Sequence, residues 1–178
     1  MKVKKLLAFI VALSPLVASA AIPKVVAHRG YWNVPGASQN SIAALQKADS
    51  IHADAVELDV WISSDDVLFV NHDPSYQGLV LEQTPAAQLS KCRLSNGEAL
   101  PTLSDFLEAA KKTNVDLVVE IKSHADKKRE DRAVSEVVKI VREKGLESRT
   151  SYITFSRNAF DLSLIHISET TRPLYISY

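Results

Sequence analysis

Two apolar stretches of the chain carry charge at every second position. Residues 55–60 read Ala-Val-Glu-Leu-Asp-Val, and residues 117–122 read Leu-Val-Val-Glu-Ile-Lys. In a strand, residues two apart share a face. The pattern predicts strands with Glu57 and Asp59 on one face and Val56, Leu58 and Val60 on the other. In the same way Glu120 and Lys122 lie opposite Val119 and Ile121. Charge on the inner face of a buried sheet is costly unless something compensates it. Three carboxylates held that way ask for a cation, and the lysine beside them asks for an anion.

Strand and helix periods alternate around these two segments. Ile22 to Ala27 reads as a strand that runs into His28, Arg29 and Gly30. A helix through Ile42, Leu45 and Ala48 follows, with Ser38 or Asn40 as the expected cap. Ala55 to Ile62 is the second strand, Ser63 to Asp66 a turn, and Val67 to Asn71 a further strand. Residues 74–100 are polar and irregular, with a short helical turn expected near Pro85 to Leu89. Thr102 or Ser104 caps a helix carrying Phe106, Leu107 and Ala110. Val115 to Ile121 is the third long strand. A helix from about Asp131 to Lys144 puts Val134, Val137, Val138 and Val141 on one side, and Gly145 stops it. Tyr152 to Phe155 is the fourth strand. This alternation implies parallel pairing with right-handed crossovers. Continuous apolar strands suit a sheet covered on its outer face.

With 178 residues, 46% apolar and 24% charged, the chain has the make-up of about one globular domain. Met1 to Ala20 stands apart. It has a basic start (Lys2, Lys4, Lys5), an apolar run from Leu6, and small residues at Ala18, Ser19 and Ala20. That is the layout of a secretory leader cleaved after Ala20, so the mature protein is expected to be secreted or periplasmic. The apolar run is short for a membrane span, and none is expected after cleavage. Loss of three lysines leaves 18 of the 21 basic side chains against 21 acidic ones. A mildly acidic surface gives no reason to expect a nucleic-acid partner. Cys92 is the only cysteine, which rules out an internal disulfide and reads as a small buried hydrophobe.

The chemistry gathers at strand ends. His28 and Arg29 follow one strand directly, and His72 and Asp73 follow another. Parallel α/β folds place reactive groups on such ends and the loops after them. His28, Arg29, Glu57, Asp59, His72, Glu120 and Lys122 are therefore expected on one rim.

Four segments, HRG (28–30), ELDVWISSDDVLFVNHD (57–73), LPTL (100–103) and EIK (120–122), resemble the glycerophosphodiester phosphodiesterase family in order and spacing over about residues 25–156. The resemblance implies an α/β fold of the TIM-barrel (β/α)8 type with a small insertion at about 74–100. It also implies hydrolysis of glycerophosphodiesters to glycerol 3-phosphate and an alcohol, with a divalent cation, Ca²⁺ or Mg²⁺. Carried over by position, Glu57, Asp59 and Glu120 are metal ligands, His28 and His72 the acid–base pair, and Arg29 and Lys122 phosphate contacts. The residue chemistry agrees. Oxygen donors suit hard ions, cationic side chains neutralise phosphate, and imidazoles exchange protons near neutral pH. In the expected reaction the adjacent glycerol hydroxyl attacks to give a cyclic phosphate, and water opens it. Which histidine accepts and which donates is left open. The alternatives are a related phospholipase or lysophospholipase D-type enzyme, or an inactive phosphate-binding fragment.

Residue 39 and the extent of the chain depart from the family pattern. Gln39 stands where Glu is common, either a neutral neighbour of the metal site or a plain helix-start residue. Trp32 is either a packing aromatic or a pocket wall, and His124 either belongs to a solvated charged loop or to a substrate loop. A complete barrel needs eight strands and about 250 residues, whereas four strand–helix steps are legible. The barrel domain is read as residues 21–161, about the first half of the fold, and residues 162–178 as a non-native tail unlike the next barrel helix. Open edges on the first and fourth strands would favour self-association.

Overall fold

In chain order the elements are β1 (Val26–Ala27), α1 (Ile42–Ser50), β2 (Ala55–Ile62), β3 (Leu68–Val70), β4 (Ser75–Tyr76), β5 (Leu79–Val80), α2 (Ala86–Leu89), α3 (Leu103–Ala110), β6 (Asp116–Ile121), α4 (Lys127–Glu143), β7 (Thr150–Thr154), α5 (Arg157–Ile167) and β8 (Tyr175–Ile176). The computed structural model describes residues 23–167 and 175–176. Strands β1, β2, β6, β7 and β8 pair in that order, all parallel, and β3 folds back antiparallel on β2. With helices between successive strands, this is part of the wall of a TIM-type (β/α) barrel.

The alternation in β2 decides its two environments. Val56, Leu58, Val60 and Ile62 pack with Leu45 of α1, Phe106 and Leu107 of α3, and Val134, Val137 and Val141 of α4. Each such side chain, fully buried, contributes about 1.5–3 kcal/mol. On the other face Trp61 joins a second core with Phe69, Leu81, Leu89, Cys92, Leu94 and Leu100. That core seats the insertion, whose only regular pieces are the β4–β5 hairpin, a single 3-10 turn and α2. Cys92 is buried and unbridged, as expected.

Several ends differ from the sequence reading. The cap of α1 is Ser41, whose Oγ accepts from the Ala44 N–H at 3.0 Å. Glu98, near the end of the insertion, accepts from the Ile42 and Ala43 N–H groups at 3.0 and 3.2 Å. Two expected caps are committed elsewhere: Ser38 to Ser95 at 2.7 Å, and Asn40 to Asp59 at 2.8 Å. Helix α3 is capped by Thr102. Helix α4 begins about one turn early, because the Asp126 carboxylate accepts from the Lys128 N–H at 2.8 Å. Helix α5 reaches Ile167, into the segment expected not to continue as a barrel helix. The fourth long strand, β7, is not an edge: Ile153 and Thr154 pair with Tyr175 and Ile176 of β8. β1 does end the sheet, with Val25 and Val26 exposed. The leader Met1–Ala20 and the rest of the tail lie outside the described residues. Among the described residues no helix is long and apolar enough to cross a membrane.

Candidate active site

The register of the central pair brings the acids together. Asp59 lies directly opposite Glu120 across the β2–β6 ladder. Glu57, two residues earlier, shares the face of Asp59. Ligand oxygens of Glu57, Asp59 and Glu120 all lie within 4.8 Å of one another. The three residues are 5%, 0% and 7% exposed. Carboxylates this dry and this close repel one another unless positive charge intervenes.

Lys122 supplies part of that charge. Its Nζ is 2.6 Å from Glu120 Oε1 and 2.7 Å from Asp59 Oδ1. Burial alone would lower the lysine pKa, but the two carboxylates outweigh it and the net shift is upward. For Asp59 burial pulls the other way, yet Asn40 and Lys122 hold its pKa below the usual value. Glu120 is raised, by burial first, with Lys122 only partly opposing. Glu57 is pushed up to about 7, by burial and then by Asp59. Its Oε1 is buried and has no hydrogen-bond partner. An all-oxygen donor set with an uncommitted buried oxygen fits a hard divalent cation, so these residues could hold one.

The loop after β1 closes over this group through two left-handed turns. Arg29 and Gly30 have φ of 58° and 78°. The first turns the Arg29 N–H onto Glu57 Oε2 at 2.9 Å. The second brings Gly30 against α1, where a Cβ would lie 2.7 Å from Ala44 Cβ and 2.9 Å from its carbonyl carbon. Backbone cannot give way as a flexible side-chain tip can, so glycine is required there. Asn40, with φ of 60°, is buried and grips Asp59 from both sides. Its Nδ2 donates to Asp59 Oδ2 at 2.8 Å, and its Oδ1 accepts from the Asp59 N–H at 3.3 Å. No strand or helix period points to Asn40; only its left-handed backbone and this pairing mark it as part of the site.

The remaining candidates surround the acids. The Arg29 guanidinium donates to Gln39 Oε1 at 2.8 Å and places Nε 3.8 Å from Asp59 Oδ2. Gln39 is thus a neighbour of the site rather than a bare helix start. His28 Nε2 is 3.9 Å from Glu57 Oε2, with the side chain 67% exposed. Partial burial and the Arg29 charge lower its pKa, which favours the neutral ring. His72 follows β3 and contacts Asp73 Oδ1 through Nδ1 at 2.8 Å. A cavity of about 580 Å³ adjoins His72, with Trp32, Asn40, Asp73, Tyr76 and Leu94 in its lining. Trp32 is therefore a pocket wall. His124 is not a solvated loop residue: its Nε2 accepts from the Ile62 N–H at 3.2 Å, and its ring meets Trp61 edge-on.

Comparison with solved structures gives close folds. A glycerophosphodiester phosphodiesterase from Parabacteroides distasonis is 39% identical, with a TM-score of 0.82 over 86% of this chain and 64% of that one. One from Agrobacterium tumefaciens is 25% identical, with a TM-score of 0.68 over 83% of this chain and 64% of its own. An Oleispira antarctica phosphodiesterase, solved with the product sn-glycerol-3-phosphate, is 22% identical with a TM-score of 0.70, covering 86% of this chain and 64% of that one. At that identity the likeness shows the fold alone. The chain thus spans a little under two thirds of each of these relatives. No curated protein matches it. The acids, the two histidines and the HRG turn all fall within residues 28–176, which match the model of the glycerophosphoryl diester phosphodiesterase family, and the chain belongs to that family.

Proposed function

We propose that this protein hydrolyses glycerophosphodiesters to sn-glycerol 3-phosphate and an alcohol, with a bound divalent cation, Ca²⁺ or Mg²⁺. The observation that carries the reading is the dry trio of Glu57, Asp59 and Glu120 bordered by two histidines and two cationic side chains. The family membership and the product found in the Oleispira protein support the substrate class. The ion, when bound, would supply positive charge against the phosphoryl oxygens. Asn40 and the Arg29 N–H keep the carboxylates oriented. Gln39 holds the guanidinium with a neutral oxygen, so its charge is left to oppose phosphate. His28 and His72 share the proton transfers. The cavity beside His72 has room for one alcohol portion of the diester. Export of the protein rests on the leader pattern of Met1–Ala20 alone.

The direct test offers glycerophosphocholine, glycerophosphoethanolamine and lysophosphatidylcholine, each with calcium, magnesium or chelator. Glycerol 3-phosphate should form from the first two and disappear with chelator. Preference for the lysolipid, or calcium-dependent binding of glycerol 3-phosphate without turnover, would overturn the proposal.

Glu57 gives the metal site a pH dependence. From its ordinary 4.5 up to about 7, the folded protein keeps a proton on Glu57 that the unfolded chain has released. This group's contribution to stability is therefore full below 4.5 and lost as pH rises through about 7. Calcium must displace the same proton. Its affinity should rise with pH and level off above about 7, with proton uptake by buffer visible in calorimetry. Affinity that stays flat from mildly acidic to neutral pH would contradict this assignment.

A further inference from the structure

The two histidines are held very differently. His28 Nε2 meets the Glu57 carboxylate at 3.9 Å, beyond hydrogen-bond reach. The segment carrying His72 is fixed at each residue. The Asn71 N–H donates to the Asp59 carbonyl at 3.0 Å. The Trp61 indole donates to the His72 carbonyl at 3.3 Å, and Asn71 Nδ2 donates to the Asp73 carbonyl at 2.6 Å. The ring itself meets Asp73 Oδ1 through Nδ1 at 2.8 Å.

We propose that Asp73 is a positioning residue that fixes the orientation and tautomer of the His72 imidazole. This rests on the phosphodiesterase reading for its consequence, not for its geometry. A carboxylate offers only acceptors, so the proton belongs on Nδ1. The lone pair then sits on Nε2, which becomes the nitrogen that exchanges protons with substrate. His72 and Asp73 both line the cavity, so the pair adjoins the space where substrate is expected.

Nitrogen NMR of ¹⁵N-histidine-labelled protein tests the geometry directly. Neutral His72 should show a protonated Nδ1 and an unprotonated Nε2. Asp73→Asn presents both a donor and an acceptor, and should shift the ring toward the other tautomer. Because Asp73 is exposed, the substitution should leave folding and calcium affinity unchanged. On glycerophosphocholine, kcat should fall about 10- to 100-fold with KM within about twofold. Asp73→Glu should recover part of the loss. A wild-type ring protonated on Nε2, or an Asp73→Asn variant with unaltered tautomer and kcat, overturns the proposal. If the wild-type protein hydrolyses nothing, the activity reading fails, and the NMR result still decides the role of Asp73.

Discussion

Alanine at His28 or at His72 should lower turnover of glycerophosphocholine by about 10²- to 10⁴-fold, the range that positioned proton-transfer groups supply. Calcium affinity should change little in either variant, since neither imidazole belongs to the acidic trio. The two losses should not multiply in the double variant, because the groups act on one reaction as a unit. His28 is exposed and His72 is partly so, hence neither truncation leaves a cavity in the core. Progress curves at saturating substrate, paired with calorimetric titration of calcium, separate chemistry from binding. Wild-type rates in both variants would remove the histidines from the mechanism.

Asp59→Ala should have the largest effect on the fold. Asp59 is completely buried and meets three partners: Lys122 Nζ at 2.7 Å, Asn40 Nδ2 at 2.8 Å and Arg29 Nε at 3.8 Å. Truncation leaves a half-buried ammonium with one carboxylate instead of two, and an amide with no acceptor. Breaking a buried pair of this kind costs about 3–5 kcal/mol, a large share of the roughly 5–15 kcal/mol that holds a domain together. Urea denaturation should show a markedly lower midpoint. Asp59→Asn keeps the shape and should be milder in stability. Both should weaken calcium by more than about 100-fold, the upper end of what outer hydrogen-bond partners cost. Calcium binding of wild-type strength in Asp59→Asn would exclude this residue as a ligand.

The acids of the site were legible because a strand's two-residue period is a local property. Glu57 with Asp59, and Glu120 with Lys122, declare their shared faces within six-residue windows. Parallel pairing then needed only the register Asp59 to Glu120 to make them one group. Asn40 was not legible, because its contact with Asp59 depends on a left-handed backbone that no periodicity encodes. The start of α1 was misplaced for a related reason. Its N-terminal amides are met by Glu98, more than fifty residues away in sequence. Asp126 could have been read as a cap, because the charged run Lys127 to Arg132 that follows it reads as an exposed helix start. The places of His124 and Trp32 follow from the tertiary packing of the insertion and the β6–α4 loop, which short-range pattern does not reach.

Lys122 gives the site a resident counter-charge. With its ammonium lodged between Asp59 and Glu120, the polypeptide can finish folding before any alkaline-earth ion arrives. Small zinc modules differ, for there the binding of the ion is the folding event. Under the proposed function, a chelating medium should stop turnover and leave the architecture standing, ready for reloading.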